Sequence, residues 1–401
     1  MACSNVFDAF KVATESLPDD LYRVATFDNV WLNLIKRGVY KKGTGLTQSV
    51  FTVGNSMPVD DEPSWSSITL ANGSNSGACD PSFTDAYFGF DESTYAPERF
   101  GLRGPIVCKD DLYFDHNASQ FLNSYMQELG KHAGKVISNR LEVLYRQFVP
   151  KYVALPAFTK TVQTGITGLS AATSQLTQQM LDRVAVNLIE DRATMPDSNG
   201  FVQTGPLGPI FSLYLGMEAS QAILTNNSDL RQDIRDAMPS ELMKRLGATT
   251  VIKNFRHIVN LTPPRFSHDG TDFVRVPTYA NSSGTKGTVS DLNPNWVSTS
   301  TAPYEGAYVL NDQVFTEELI EPETNPGENV NFDPSSYFGE WKFVTGPDAH
   351  EGNTCSDPLH KRGRHFAEYM HAAKPGANLK AGAFIIFKRC PTTDFTAVTC
   401  S

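Results

Sequence analysis

Residues 293–322 read NPNWVSTSTAPYEGAYVLNDQVFTEELIEP. Aromatic and proline punctuation leads into an apolar burst, a polar NDQ break and a second burst that ends at Pro322. Side chains alternate across a strand, so Tyr304, Tyr308 and Leu310 are expected on one face and Ala307 and Val309 on the other, before NDQ turns the chain. The second burst holds two adjacent carboxylates, Glu317 and Glu318. A glycosidase needs two carboxylates facing one substrate, whereas neighbours on a strand point to opposite faces. The pair therefore reads as solvated acids near a strand end, as do Asp19-Asp20, Asp60-Asp61 and Asp110-Asp111.

Upstream lies the strongest helical signal, NASQFLNSYMQELGKHAGKVISNRLEVLYRQFV at 117–149. Leu122, Tyr125, Leu129, Val136, Val143 and Leu144 fall at helical spacings, Asp115 or Asn117 can cap the start, and Pro150 stops it. Thirty-three residues at ~1.5 Å each span roughly 50 Å. Gly130 and Gly134 weaken the middle by about 1 kcal/mol each relative to alanine, which marks a place to bend. A second helix is expected at 170–190, with Leu176, Met180, Val184 and Leu188 as its stripe, and shorter ones at 217–225 and 229–246. Strands are expected at 249–261, 272–279, 339–346 and 381–390.

The N-terminal third has a different texture. Residues 1–45 carry two short apolar patches, one with Phe7 and Phe10, the other DNVWLNLIKRG with Asp28 as cap, Trp31 in its stripe and Gly38 as stop. Neither patch can bury itself, so both are expected to dock elsewhere. The cluster Lys36, Arg37, Lys41 and Lys42 reads as a solvated or salt-bridged face, with a contact to a neighbour's carboxylates or to nucleic acid as the alternative. LTQSVFTV reads as a strand, and residues 54–104 form a long Gly-, Ser-, Asn- and Pro-rich excursion of the kind that usually has a function.

Composition narrows the classes. Of 401 residues 40% are hydrophobic and 19% charged, ordinary for a folded protein, and the net charge of −10 argues against a general nucleic-acid binder. No apolar run approaches the roughly 18 residues that span a bilayer, and the N-terminus shows no signal peptide, so a cytoplasmic origin is expected. The six cysteines at 3, 79, 108, 355, 390 and 400 form no C-x-x-C pair and read as reduced thiols, with a bridge from Cys3 or Cys400 to a neighbouring chain as the alternative.

Phosphate-binding, nucleophile-elbow and H-E-x-x-H motifs do not occur. Cys355, His360, His365, His371 and Cys390 are the best metal candidates, but on a helix His365 and His371 would lie well round from one another, unlike an i, i+4 pair. No catalytic, cofactor-binding or metal-ligating residue is assigned. The order of elements (arm, loop, long helix, helices, strands) describes an α+β protein.

That order resembles the major capsid proteins of tailed bacteriophages, the Hong Kong 97-type fold, over nearly the whole chain. Local sequence carries the resemblance too: ELMKRLGATTVIKNFRHIVNLTPPRFSHDGTDFVRVPTY at 241–279 and the stretch at 293–322 are similar to segments of one branch of that family. The resemblance implies an N-terminal arm at 1–45, an extended loop with flanking strands at 46–110, and a peripheral domain at 111–195 with its spine helix at 117–149. It further implies an axial domain at 196–292, a return to the peripheral-domain sheet at 293–345, and a C-terminal segment with axial-domain strands and tail at 346–401.

The function implied is structural: a non-enzymatic subunit that self-assembles into the icosahedral shell around a double-stranded DNA genome. Its partners would be itself as hexamers and pentamers, a portal, a separate scaffolding protein if any, and DNA by weak non-specific contact. No membrane is implied, and assembly would take place in the host bacterial cytoplasm. Phe7, Phe10, Trp31, Lys36, Arg37, Lys41 and Lys42 would make assembly contacts, and Gly130 and Gly134 would let the spine helix flex. No motif identifies a covalent Lys–Asn crosslink. The alternatives are another virion component (tail or decoration protein) and a metal-dependent hydrolase using the C-terminal His/Cys cluster.

Overall fold

The computed structural model describes residues 31, 35–40, 47–53, 90–104, 106–108, 118–155, 159–161, 168–191, 201–205, 208–225, 250–252, 254–260, 263–276, 302–320, 341–345, 362–376 and 378–389. The N-terminal part contributes β1 (Lys36–Tyr40), β2 (Gln48–Val53), β3 (Phe90–Tyr95), β4 (Pro97–Arg103) and β5 (Val107–Cys108). Helix α1 (Ala118–Phe148), β6 (Lys151–Val153), β7 (Thr159–Thr161) and helix α2 (Gln178–Glu190) follow. Next come β8 (Val202–Gly205), β9 (Gly208–Gly216), helix α3 (Met217–Thr225), β10 (Thr250–Ile252), β11 (Phe255–Asn260), β12 (Arg265–His268) and β13 (Phe273–Val276). The remaining strands are β14 (Tyr304–Leu310), β15 (Phe315–Ile320), β16 (Trp341–Thr345), β17 (Arg362–Pro375) and β18 (Ala383–Lys388). The α+β class expected from the sequence holds.

Two sheets organise these elements. In a 10-stranded sheet the order is β10-β11-β9-β14-β18-β6-β7, with β12, β13 and β8 attached beside it. A 6-stranded sheet runs β1-β15-β17-β16, with β4 and β5 also paired to β17. Among the described residues β2 and β3 pair with each other and with no other strand. The 10-stranded sheet draws on residues either side of 196, so segments assigned above to different domains share one sheet.

β14 lies at the middle of the larger sheet, antiparallel to both β9 and β18. The alternation read from the sequence is realised. Tyr308 and Leu310 belong to one hydrophobic core together with Tyr125, Leu129, Ile137, Leu141 and Tyr145 of α1, and half-buried Tyr304 packs against it. Ala307 and Val309 belong to a second core with Leu181, Val184 and Leu188 of α2. The sheet is thus covered on one face by the long helix and on the other by α2.

The NDQ break turns the chain, but β15 does not come back alongside β14. It enters the other sheet, parallel to β1 and antiparallel to β17. Asn311 Oδ1 accepts from the Gln313 amide at 2.9 Å, an Asx-type turn. Tyr145 on α1 clips the same corner, donating to Val309 O at 2.7 Å and accepting from the Asn311 amide at 3.0 Å.

Helix α1 has 31 residues and runs continuously through Gly130 and Gly134. Its buried ladder is Tyr125, Leu129, Ala133, Ile137, Leu141 and Tyr145, in strict i, i+4 steps. Val136 and Val143, expected in the stripe, are only half-buried. Steps of four advance the face by about 40° each, so the ladder winds round the helix as it crosses from one sheet to the other. Helix α2 begins at Gln178 rather than at 170, because the Thr177 side chain accepts from the Met180 amide and caps it there.

Three expectations are corrected. Gly38 is not a helix stop but lies inside β1, where a Cβ would come within 3.3 Å of the Glu318 side chain. Strands β8 and β9 arise where no strand was expected. β17 carries His365, Glu368 and His371 three apart, which the sequence reading places on a helix. It is a 14-residue strand paired on both sides, to β4 and β5 and to β15 and β16, and that pairing overrides local propensity. Asp115, Asn117, the side chain of Leu122 and the helix expected at 229–246 lie outside the described residues.

Gly306 gives a direct test of the packing around β14. A Cβ there would sit 2.5 Å from the ring of Phe384, which is fully buried. Gly306→Ala is expected to destabilise the fold by about 1–3 kcal/mol through overpacking, measured by chemical denaturation against the exposed control Gln147→Ala, which should be near neutral.

Candidate functional site

The carboxylates of the opening stretch mark where β1, β3, β4, β15 and β17 converge. Glu317 and Glu318 do point to opposite faces of β15, but neither is solvated: they are 0% and 8% exposed. The register explains this, because β15 is flanked by β1 on one side and β17 on the other. Expecting solvated strand-end acids was incorrect.

Glu317 faces the helix side. Its Oε1 accepts from the Tyr369 hydroxyl and lies 2.9 Å from His371 Nδ1. The other ring nitrogen of His371 is 3.8 Å from Glu98 on β4, and Glu98 pairs with Arg140 of α1. A chain of polar contacts thus runs from β15 through β17 and β4 to the long helix. A second buried hub lies further along α1. There Glu142 accepts from the Tyr308 hydroxyl and pairs with Arg146 at 3.2 Å and Arg275 at 2.6 Å. Burial, with the Glu142 charge beside it, pushes the Tyr308 phenol well up from its ordinary value.

Glu318 faces the hairpin formed by β2 and β3. Its Oε2 accepts from the Tyr95 hydroxyl at 2.9 Å, its Oε1 lies 3.1 Å from Lys374 Nζ, and Tyr95 lies 2.7 Å from Gln48 on β2. Tyr40 of β1, Tyr95 of β3 and Ala372 of β17 form a small hydrophobic cluster there, with the two tyrosine rings edge to face at 6.1 Å. Burial, reinforced by Glu318, pushes the Tyr95 phenol up, so it stays a donor across the physiological range. Among the described residues, this root is where the hairpin meets the body of the chain.

Trp31 was expected to contact a neighbouring subunit. It is instead 6% exposed within the chain's own core, its ring 5.4 Å from Tyr145, 5.8 Å from Tyr214 and 4.9 Å from Tyr308. Lys36 is exposed and Arg37 half-exposed on β1. Phe7, Phe10, Lys41 and Lys42 lie outside the described residues.

On the strand β17, positions 365, 369 and 371 share one face, not separate sides of a helix. His365 lies 3.2 Å from the Tyr125 hydroxyl, and burial pushes it down to about 4, so it is neutral. His371 is held by Glu317. The two histidines have different partners, and six residue steps along the strand separate them by roughly 20 Å. Among the described residues no group of three or more His, Cys, Asp or Glu side chains is placed to hold a metal. Cys108 is a free, half-buried thiol, while Cys355, His360 and Cys390 lie outside the described residues. Among the described residues no helix is long and apolar enough to cross a membrane.

No protein-family model matches the chain, and no curated protein matches it. Among solved structures it is similar to the cyanophage Pam1 capsid asymmetric unit, at 11% identity over 88% of each chain with a TM-score of 0.45. It is also similar to the capsid of Ralstonia phage GP4 (8% identity, 90% of this chain and 88% of that one, TM-score 0.44). The capsid of Helicobacter pylori bacteriophage KHP30 matches at 10% identity over 90% of this chain and 91% of that one, with a TM-score of 0.43. All three are phage capsid structures.

The two glutamates are expected to differ when removed. Glu317→Ala leaves two buried donors, Tyr369 and His371, without their acceptor, at about 1–3 kcal/mol each. Glu318→Ala leaves groups nearer to solvent and should cost less than half as much. Thermal unfolding of both variants checks this, and equal losses would mean the helix-side network is not what holds β15.

Proposed function

We propose that this chain is the shell-forming structural subunit of a tailed bacteriophage, assembling through many copies of itself. The observation that carries this reading is the β2–β3 hairpin. Among the described residues its strands pair with no other strand, and it is fastened to the body only at the Tyr40–Tyr95–Glu318 root. A two-stranded sheet is marginal on its own in water, so a projecting one is best stabilised by the surface of a neighbouring copy. The resemblance of the 241–279 and 293–322 segments to major capsid proteins points the same way.

In this reading residues 1–45 act as an arm, 46–110 as an extended loop, 111–195 as a peripheral domain, 196–292 as an axial domain, 293–345 as the return to the peripheral sheet, and 346–401 as the C-terminal segment with axial-domain strands and tail. Copies assemble as pentamers and hexamers into an icosahedral shell within the host cytoplasm, around double-stranded DNA and with a portal. The exposed Lys36 and half-exposed Arg37 on β1, with Lys41 and Lys42, supply contacts to neighbours, together with Phe7 and Phe10. Many modest interfaces closed by symmetry then give a shell stronger than any one of them.

Negative-stain microscopy and light scattering of the purified chain test this. Uniform polyhedral particles or capsomer rings are expected, and a protein that stays monomeric at all concentrations would sink the reading. Tyr95→Ala, which cuts the hairpin from Glu318, should leave the chain folded by circular dichroism and reduce particle yield several-fold.

Gly130 and Gly134 are proposed to let the long helix adopt different curvatures at non-equivalent positions. The double variant Gly130→Ala, Gly134→Ala should raise helix stability by about 2 kcal/mol and narrow the range of particle geometries formed. Shells with an unchanged distribution of helix curvature, seen by cryo-microscopy, would rule the flexing role out.

A further inference from the structure

Glu305 is the second residue of β14 and is 1% exposed. It lies on the same face of the strand as Ala307 and Val309, the face that belongs to the α2-side core. Neither of its carboxylate oxygens has a hydrogen-bond partner in good geometry, although the Gly216 backbone amide lies beside it. The fit there is close: a Cβ added to Gly216 would come 2.3 Å from Glu305 Oε1. Glu305 lines a small cavity together with Gln175, Leu176, Glu218, Lys388 and Arg389.

The cations of this region are directed to a different acid. Arg389 Nη2 lies 3.2 Å from Glu218 Oε2, and Arg265 Nη2 lies 3.5 Å from Glu218 Oε1. Arg389 also donates from Nη1 to the Ala302 carbonyl at 2.9 Å. The charged groups near Glu305 are therefore Glu218 from the first turn of α3, Arg265 from β12 and Arg389 just after β18, while Lys388 lines the same cavity but is itself exposed. An ionised Glu305 would set a second negative charge near Glu218 with its own oxygens unsolvated. A carboxylate buried without partners is costly, whereas its neutral form costs far less.

We propose that this cluster is a proton-binding site: Glu305 is carried as a neutral carboxylic acid beside the Glu218 carboxylate, and its ionisation loosens the junction of β14, β18 and α3. The electrostatics support the geometry. Burial raises the Glu305 carboxyl from 4.5 to about 7, with Glu218 adding to the rise and Arg265 and Arg389 opposing it. The folded chain thus holds this proton more tightly than the unfolded chain does. The stabilisation is fully present below pH 4.5, is lost as the pH rises to about 7, and changes no further above that. Across the window the folding equilibrium should shift on the order of a hundredfold.

The test uses the full-length chain. Unfolding is measured at about pH 5 and about pH 8, where the proton is respectively held and lost. The wild-type chain should be less stable at the higher pH. Glu305→Gln, a neutral isostere, should lose the part of that slope belonging to this site and become the more stable form at the higher pH. Infrared difference spectra of the wild-type chain should show a protonated carboxyl at mildly acid pH that titrates near neutrality and is missing in Glu305→Gln.

Glu218→Gln is the second variant. It removes the neighbouring negative charge and frees the two guanidiniums, so the carboxyl titration should move to lower pH, a shift that a merely structural role for Glu218 would not produce. An unchanged pH slope in Glu305→Gln, or a wild-type chain with no carboxyl titrating near neutrality, would overturn the proposal. Should Glu305→Gln fail to fold, the wild-type infrared titration and its shift in Glu218→Gln decide the matter alone.

Discussion

The fold depends on β14 being buried on both faces while hydrogen-bonded along both edges. Its alternation sends tyrosines toward α1 and small aliphatic residues toward α2, so one seven-residue strand separates two hydrophobic cores. The large side chains meet a helix that supplies Leu141 and Tyr145, and the small ones let α2 approach closely. A shift of one residue would exchange these faces and place Glu305 among the α1 aromatics. The strand therefore has one acceptable register, and α1, β9 and β18 are placed relative to it.

The corner after β14 transmits that register to the other half of the molecule. Tyr145 bonds to two backbone groups at the entry to the turn, tying the departure of the chain to the long helix. β15 then becomes the second organising strand, with Glu317 serving the helix side and Glu318 the hairpin side. Two adjacent residues fasten two different parts of the chain because a strand sends successive side chains in opposite directions. The acidic pair looked like solvent-facing chemistry in isolation. Its role is mechanical: it joins the hairpin root to the body through hydrogen bonds that are largely shielded from water.

The long helix and the alternation of the 293–322 stretch were legible because each follows a strong local period. Tyr125, Leu129 and Leu144 could be named from spacing alone, as could the two faces of β14. Ile137, Leu141 and Tyr145 were missed because the winding of the buried face depends on where two sheets meet a single helix. β17 carries His365, Glu368 and His371 three apart, a spacing that suits a helix, and only partners on both edges, distant in sequence, make it a strand. The burial of Trp31 had a signal in its size, since so large an apolar ring is seldom left on a surface, but nothing local said which surface would cover it.

By itself the sequence determined the α+β class, the long helix, the alternation of the central strand and the turn that follows it. These are set by interactions within a few residues, where periodicity and capping act. Only the tertiary structure decided that the two halves of the opening stretch enter different sheets, that Glu317 and Glu318 are buried, and that Glu305 faces Glu218 across a junction otherwise closed by arginines. Those outcomes rest on pairing between segments up to 280 residues apart, as Lys36 is from Thr316, and burial and charge at such a junction exist only once the distant partners have met.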